Sequence, residues 1–378
     1  GGSQTRREVM KVLIQFDKKP LLFRDPVSVI SCEEPSSLDA CFGKIEDAIE
    51  RGYYLAGFMS YEAGYCFEES LAGPAKRDFP LMRMGVYDSP VAVSPPPAPR
   101  HPRISLKDMR LNIPYDDYLL DIGSIREHIE DGDVYQVTYC VKFMFTFRGD
   151  PFSLYNVLLR EQPVPYPAYI ESGGFHILSL SPELFLRKRS SRIMTKPMKG
   201  TWPRGNNIIS DTVAGIRFKY DKKNRAENVM IADLLRNDLG RMGTGIKAPK
   251  LFEVTKYRKL HQMTSTITGE LDSRIPVREV FASLFPSGSV TGAPKIRAMR
   301  IIRELEGEDR RIYTGAIGYI TPERDMHFNI PIRTLLIREG AGEMGVGGGI
   351  VWDSTPRGEW EEGLLKAKFL TDYARNML

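Results

Sequence analysis

The chain has 378 residues, of which 42% are hydrophobic, and its formal net charge is +5. This apolar content is enough for a sizeable core in one large domain or two. Basic residues are scattered and form no run, which disfavours nucleic-acid binding. No apolar stretch reaches about 18 residues, the length needed to cross a membrane, so we expect no membrane partner.

The cysteines are Cys32, Cys41, Cys66 and Cys140, and they lack the spacing of a metal site. In a chain of this length they indicate reduced, mostly buried thiols and a cytoplasmic protein. Residues 1–9 precede the first methionine and contain no apolar core of a signal peptide. We interpret them as an artificial leader or as a modest native extension.

Residues 10–88 are predicted to form an N-terminal portion. Within it, the spacing of Leu38, Cys41, Ile45 and Ile49 predicts a helix that ends at Gly52, followed by a buried strand at 53–61. Residues 89–104 are rich in proline, which favours an extended linker over a packed core. The remaining residues, 105–378, are predicted to form the main portion.

The main portion begins with a predicted amphipathic helix at 115–130 and a long strand at 134–147. The odd-numbered positions of that strand, from Tyr135 to Phe147, are apolar and are predicted to face the core. The even-numbered positions, which include Gln136, are predicted to face either solvent or a polar cleft.

Further strands are predicted at 175–188, 192–196, 312–320, 326–338 and 343–352, and helices at 223–239 and 358–376. Pro331 is awkward inside a central strand and indicates an edge or a bulge. Long antiparallel strands with helices between groups predict the α+β class.

The segment from Lys196 to Gly205 contains a lysine where a strand ends in a turn, because Pro197, Gly200 and Pro203 prevent a helix there. Taken alone, Lys199 could be an ordinary surface lysine. Other short motifs follow in one order along the chain: Ser181-Pro182-Glu183, Arg225-Ala226-Glu227-Asn228, Thr291-Gly292-Ala293-Pro294-Lys295, Ile332-Arg333-Thr334, Gly347-Gly348-Gly349 and Glu359-Trp360-Glu361-Glu362.

Together with Pro197-Met198-Lys199-Gly200-Thr201, this series resembles the chorismate-utilising enzymes over roughly residues 105–378. The resemblance implies two large antiparallel sheets packed together and flanked by helices. It also implies that Lys199 is a catalytic nucleophile and that Glu183 is a general acid. Gln136 falls where family members that add water carry a lysine base, and a glutamine cannot serve as that base.

The resemblance further implies a Mg²⁺ site at Glu227 and Glu362 with Glu359 beside them. The residues alone leave another reading open, because Glu359, Glu362 and Lys366 share one helical stripe that could simply be solvated, with an ion pair between Glu362 and Lys366. The two carboxylates of chorismate need donors, and the positions implied for substrate binding are Gln136, Gly200, Thr201, Thr291, Tyr313, Arg333, Gly347, Gly348, Gly349 and Lys366. The family often has a histidine where Gln262 stands, beside His261.

The predicted reaction is the amination of chorismate with ammonia to 4-amino-4-deoxychorismate through a lysine adduct, in para-aminobenzoate and folate biosynthesis. Family members that aminate C2 to form anthranilate typically carry alanine where Lys199 stands, and that activity is the alternative. A non-catalytic module that binds chorismate or tryptophan is the alternative of another class. No amidotransferase triad is evident, so we expect ammonia from a separate glutamine amidotransferase subunit.

Overall fold

The computed structural model describes residues 9–71, 77–94, 103–257 and 260–375. Within these ranges the chain forms two large antiparallel sheets flanked by helices, which confirms the predicted α+β class. Three predicted features fall wholly or partly outside the described residues. They are residues 1–8 of the predicted extension, residues 95–102 of the linker predicted at 89–104, and residue 376 of the helix predicted at 358–376.

The helices are described by their bounds, in chain order. They are α1 (Leu38–Glu50), α2 (Tyr115–Glu130), α3 (Pro151–Glu161), α4 (Ile208–Tyr220), α5 (Lys222–Gly240), α6 (Val277–Leu284), α7 (Lys295–Leu305) and α8 (Pro356–Arg375). The predictions at 115–130, 223–239 and 358–376 are confirmed to within about two residues, because each segment carries an apolar stripe with helical spacing. The sequence analysis did not identify α3, α4, α6 or α7.

The strands likewise follow in chain order. They are β1 (Met10–Ile14), β2 (Leu21–Phe23), β3 (Ser28–Cys32), β4 (Tyr54–Met59), β5 (Met82–Tyr87), β6 (Val91–Ala92), β7 (Ser105–Leu111), β8 (Gln136–Arg148), β9 (Tyr166–Ser172), β10 (Phe175–Ser181), β11 (Leu184–Arg189), β12 (Arg192–Lys196), β13 (Met198–Pro203), β14 (Thr244–Lys256), β15 (Leu260–Glu270), β16 (Gly292–Ala293), β17 (Ala316–Ile320), β18 (Met326–Asn329), β19 (Thr334–Arg338) and β20 (Ala341–Ile350).

The first sheet has the order β16-β8-β20-β19-β10-β9-β1-β2-β6, with β7 paired to β8. The second has the order β13-β15-β12-β11-β18-β17-β4-β5-β3, with β14 paired to β15. Strands β1 to β5 of the N-terminal portion are thus divided between both sheets, at the end opposite β8 and β13. Strand β6 lies within the predicted linker and pairs with β2 at the edge of the first sheet. The N-terminal and main portions therefore share the same two sheets.

Two predicted strands are wrong in the same way. The segment 175–188 breaks at Pro182, so that β10 lies in the first sheet and β11 in the second. The segment 326–338 breaks around Pro331, so that β18 lies in the second sheet and β19 in the first. Proline cannot donate a ladder hydrogen bond, and at both places the chain leaves one sheet and enters the other.

Three apolar clusters hold the layers together. One lies between the first sheet and helices α2, α3, α7 and α8, and another lies between the second sheet and helices α1, α5 and α6. The third joins the facing sides of the two sheets and includes Val12, Ile177 and Leu336 from the first sheet and Phe58 and Ile317 from the second. The fold is therefore a helix–sheet–sheet–helix arrangement.

The long strand β8 has the two different faces that its sequence predicts. Its odd-numbered residues from Val137 to Phe147 are buried in the first core cluster. Tyr135 is an exception, because it precedes the strand and is 67% exposed. The even-numbered residues Gln136, Thr138, Cys140 and Lys142 are buried as well, so this face borders a polar cleft and not solvent.

Over the parts of the chain described above, none of the helices is both long and apolar enough to cross a lipid bilayer.

Candidate active site

A cavity of about 280 Å³ is lined by residues of both sheets. Strands β8 and β20 of the first sheet form one wall, and strands β13 and β15 of the second form another, with helices α5 and α8 closing the sides. The polar and charged side chains around it that could act on a ligand are Glu183, Lys199, Lys223, Asn224, Glu227, Gln262, Ser289, Tyr313, Arg333, Glu359, Glu362 and Lys366.

The predicted site residues converge on this one cavity, with two exceptions. Thr291 is fully buried below the surface of the cavity, where its hydroxyl donates to the Ser287 carbonyl at 3.0 Å. Gln136 lies behind Gly349 and does not line the cavity, although a methyl group on Gly349 would meet Gln136 Nε2 at 2.0 Å and Lys199 Nζ at 2.9 Å. The carboxamide and the lysine amine therefore face the same small space.

Glu183 lies at the crossing from β10 to β11 and is only 2% exposed. Its Oε1 accepts hydrogen bonds from Ser289 Oγ at 2.7 Å and from the Met198 N–H at 3.1 Å. Burial raises the pKa of this carboxyl to about 7, although both hydrogen bonds and the charge of Lys199 oppose the shift. With Oε1 held by two donors, Oε2 is the oxygen left to carry a proton, and the residue lines the cavity.

Lys199 lies in an irregular part of β13, where the register against β15 shifts between Met198 and Thr201. Gly200 adopts a φ of +92°, a left-handed conformation that glycine tolerates far better than other residues. The surrounding protein removes water from the ammonium group, and this desolvation lowers the pKa of Lys199. The carboxylate of Glu227 acts in the opposite direction, and the nearby ammonium of Lys366 lowers the pKa further.

The glycine strand supplies a backbone edge to the cavity. Strand β20 pairs with β19 only as far as Met344, opposite Leu335, whereas its pairing with β8 continues to Ile350. No described strand pairs with the other edge of residues 345–349, and these residues line the cavity. Lys366 Nζ already donates to the Gly347 carbonyl there, at 2.7 Å. The N–H groups that point away from β8 on this edge are suited to an anionic ligand.

The carboxylates of α5 and α8 form the acidic side of the cavity. Burial raises the pKa values of Glu227 and Glu359, whereas the ammonium of Lys366, 2.7 Å from Glu362, lowers the pKa of Glu362. Within residues 9–71, 77–94, 103–257 and 260–375, no three His, Cys, Asp or Glu side chains form a ready-made metal cage. Mg²⁺ needs only one or two protein carboxylates when a substrate and waters complete its shell, so the donor set fits that ion.

Arg333 lies near the second crossing, just before β19, and is only 8% exposed. Its φ of +51° costs a non-glycine residue roughly 1–2 kcal/mol, so the surrounding structure must hold it in place. Its Nη1 is buried without a hydrogen-bond partner among the described residues, and desolvation lowers the pKa of the guanidinium to about 10. A buried, unpaired guanidinium beside a cavity is a site for a carboxylate.

The side chains of His261 and Gln262 point to opposite sides of β15. His261 is fully buried against Asp211, with its Nε2 2.9 Å from the carboxylate, and does not line the cavity. Gln262 does line it, and its Oε1 is buried without a partner in the described structure. The residue available to a ligand is therefore Gln262.

The polar or charged residues of the cavity that the sequence analysis missed include Ser289, Lys223 and Asn224. Ser289, which donates to Glu183, carries no sequence signal that marks it. Asn224 lies three residues before Glu227 on α5 and lines the same cavity, so helical spacing would have identified it.

Comparison with known proteins gives consistent matches. The family model described as chorismate binding enzyme matches residues 17–372. The chain is 34% identical to aminodeoxychorismate synthase component 1 of Escherichia coli, over 81% of this chain and 73% of that protein. It is 38% identical to anthranilate synthase component 1 of Aquifex aeolicus, over 70% of this chain and 54% of that protein.

Among solved structures, anthranilate synthase component I from Streptococcus pneumoniae superposes with a TM-score of 0.77 at 24% identity, covering 97% of this chain and 93% of that one. This likeness supports the fold alone. The chain spans little more than half the length of several curated relatives, including the one from Aquifex aeolicus. The family match over nearly the whole chain, together with the Escherichia coli relative, shows that this chain belongs to the chorismate binding enzymes.

Proposed function

We propose that the chain is the chorismate-aminating component of an aminodeoxychorismate synthase, which makes 4-amino-4-deoxychorismate for para-aminobenzoate and folate biosynthesis in the cytoplasm. The observation that carries this proposal is the placement of the Lys199 amine, with a lowered pKa, in one cavity with the protonatable Glu183. An amine with the usual pKa of about 10.4 would be neutral in fewer than about one molecule in 10³ at pH 7. Desolvation of Lys199 increases that fraction.

In the proposed reaction, neutral Lys199 Nζ bonds to C2 of chorismate while the C4–O bond breaks. The ring double bonds shift, and the hydroxyl leaves as water with the proton of Glu183. Ammonia then bonds to C4, the C2–N bond breaks and Lys199 departs as a neutral amine. The Glu183 carboxylate takes the excess proton from the new C4 ammonium group, so that one ammonia enters and one water leaves.

The substrate's enolpyruvyl carboxylate is assigned to Arg333, Tyr313 and the free backbone edge of Gly347, Gly348 and Gly349. Support comes from the unpaired Nη1 of Arg333 and from the edge of β20 that β19 leaves open. Gly200, Thr201 and Lys366 are assigned to the rest of the substrate because they line the same cavity. Thr291 is assigned a supporting role, since its hydroxyl bonds to the backbone.

Mg²⁺ is proposed as the cofactor, held by Glu227 and Glu362 with Glu359 beside them. It would neutralise the ring carboxylate of chorismate and draw electrons from it. Support comes from the placement of Glu227, Glu359 and Glu362 around one cavity, where a substrate could complete the shell of the ion.

We expect excess chelator to abolish turnover and added Mg²⁺ to restore it. Glu362→Gln should need at least about tenfold more Mg²⁺ for half-maximal rate, because one of few charged ligands is lost. The exposed Glu361→Gln on the same helix is the matched control and should titrate like the parent. Undiminished turnover in excess chelator would remove the metal from this proposal.

We expect Gln136→Lys to divert part of the product towards addition of water, which gives an isochorismate-type compound. A positioned base contributes about 10²–10⁴-fold to such a step, and Gln136 lies against the space that Lys199 also faces. Gln136→Met, which supplies no base, is the control. Chromatography of the products measures the ratio, and a profile identical to that of the parent would mean that this residue does not select the nucleophile.

Ammonia is proposed to come from a separate glutamine amidotransferase subunit, so that the working enzyme is a heterodimer. Burial raises the pKa of Cys32 to about 12, of Cys66 to about 11 and of Cys140 to about 12, which makes them poor glutaminase nucleophiles. The name "component 1" of the Escherichia coli relative agrees with a two-subunit enzyme.

Anthranilate synthesis is the second candidate, because the relative from Aquifex aeolicus carries that name. Lys199 favours amination at C4. A non-catalytic binding module is disfavoured, because such a module would have no use for a lysine and a glutamate with shifted pKa values in one cavity. Product analysis after incubation with chorismate, ammonium and Mg²⁺ distinguishes the three functions. Amination at C4 gives 4-amino-4-deoxychorismate, anthranilate synthesis gives fluorescent anthranilate, and a binding module leaves chorismate unchanged.

A further inference from the structure

Helix α4 turns its apolar residues towards solvent. Five of them are exposed: Ile208 by 86%, Ile209 by 78%, Val213 by 42%, Ile216 by 55% and Tyr220 by 64%. The last four are spaced i, i+4, i+7 and i+11, so they form one continuous stripe along the helix. Single exposed apolar residues are ordinary, but a stripe of this kind marks an interaction surface.

The opposite side of α4 is attached through only two buried residues, Asp211 and Phe218. Asp211 is bonded to Arg204 and His261, and the Phe218 ring stacks on Trp202 with centroids 5.7 Å apart. The helix is thus fixed to the protein by its polar and aromatic contacts. The Arg225 guanidinium lies 6.0 Å from the centroid of the Tyr220 ring, whereas Ile209, Val213 and Ile216 belong to none of the three apolar clusters of the described residues.

These attachments lead directly to the cavity. Trp202 and Gly200 line it, and the tip of the Phe218 ring lies 3.1 Å from the position that a Cβ of Gly200 would occupy. Lys199 is the residue before Gly200. The stripe is therefore separated from the wall that carries Lys199 by about one helix diameter, roughly 10 Å.

Positive charge surrounds the stripe. Arg217, Lys219 and Lys222 are exposed, and none of them forms an ion pair within the described part of the chain. An apolar centre with a basic rim is complementary to a partner surface that has an apolar centre and an acidic rim.

We propose that the exposed stripe of α4, formed by Ile209, Val213, Ile216 and Tyr220, is the docking surface for the glutamine-hydrolysing subunit that supplies ammonia. This inference rests on the proposed function, and it adds where the partner binds. Docking here would bring the ammonia source close to the wall that carries Lys199. The partner is expected to contact Arg217 and Lys219 with carboxylates.

The test uses the chain purified with an affinity tag from the cells that naturally make it, so that its own amidotransferase accompanies it. Formation of 4-amino-4-deoxychorismate is measured with glutamine and, separately, with saturating ammonium. Variants Ile209→Glu and Ile216→Glu place a charge in the stripe. Glutamate in the first turn of a helix is favourable, so Ile209→Glu should fold. Leu120→Glu on α2 is the matched control, because Leu120 is 71% exposed.

We expect both α4 variants to lose at least about tenfold in glutamine-driven rate, because a charge at a buried apolar contact weakens association. Their ammonium-driven rate should stay within about twofold of the parent, and Leu120→Glu should leave both rates unchanged. Unchanged glutamine-driven rates in both α4 variants would overturn the docking surface. A parent preparation that uses ammonium but not glutamine would contradict the proposal that a glutamine-hydrolysing subunit binds this chain.

Light scattering measures the oligomeric state of the chain without its partner. If the parent is a dimer and Ile209→Glu is a monomer, the stripe binds a second copy of this chain and the proposed partner is wrong. Failure of the proposed function is distinguishable, because then neither ammonium nor glutamine yields 4-amino-4-deoxychorismate in the parent. If Ile209→Glu lost both activities through damage to the fold, Ile209→Gln decides the matter. It removes the apolar group without adding charge and should still lower only the glutamine-driven rate.

Discussion

Lys199→Arg should make no 4-amino-4-deoxychorismate, with turnover at least about 10³-fold below that of the parent. A loss of that size corresponds to about 4 kcal/mol of barrier. Arginine keeps the positive charge but stays protonated, so it cannot attack carbon. If Lys199 merely offered charge to a carboxylate, the arginine variant would be partly active while Lys199→Ala would not. The measurement is the rate of product formation for both variants at saturating chorismate and ammonium.

A covalent intermediate gives a second readout of the same proposal. A chorismate analogue whose adduct decays slowly should add its mass to one peptide, the one that contains Lys199. Lys196, three residues earlier at the end of β12, provides the control, and Lys196→Arg should leave turnover and labelling unchanged. An unlabelled Lys199 peptide together with an active arginine variant would show that covalent catalysis is wrong.

Glu183→Gln should lower kcat by about 10²–10⁴-fold, the usual contribution of a positioned general acid. Glutamine keeps the size of the side chain and can still accept from Ser289 and from the Met198 N–H, but its amide cannot transfer a proton to the departing hydroxyl. Folding is therefore expected to be preserved, which circular dichroism checks. A variant as active as the parent would exclude Glu183 as the acid.

The pH profile follows from the pKa of Glu183, which is raised to about 7. The reactive form has Glu183 protonated, so the titration of this carboxyl near pH 7 should appear in kcat/KM as a loss of rate with rising pH. Glu183→Gln should lose this alkaline limb. An alkaline limb that survives in the variant would assign that titration to another group.

The Glu183 carboxyl also makes the free energy of unfolding depend on pH. Burial raises the pKa of Glu183 from 4.5 to about 7, so the folded state binds its proton more tightly than the unfolded state. Its contribution to the free energy of unfolding is fully present below about pH 4.5 and is lost as pH rises to about 7. Chemical denaturation should show this decline in the parent relative to Glu183→Gln, which has no such group.

The sequence by itself determined the elements whose pattern is local. The period of two in β8 and the apolar stripes of α2 and α5 follow from alternation and helical spacing, which depend on residues near one another in the chain. The prolines and glycines around Lys199 correctly exclude a helix, but the predicted loop there is wrong, because Met198–Pro203 forms the irregular strand β13 through its pairing with β15. The motif series predicted which residues share a site, and all but Gln136 and Thr291 line one cavity.

Tertiary structure decided what depends on distant partners. Glu183 and Arg333 reach the cavity because two strands leave one sheet for the other, and no local pattern distinguishes such a crossing from a kink within one strand. The choice of Gln262 over His261 depends on which side of β15 faces Asp211, fifty residues away along the chain. The outward apolar face of α4 is likewise invisible in its sequence, because periodicity reveals that a helix has an apolar side but not whether that side meets the core.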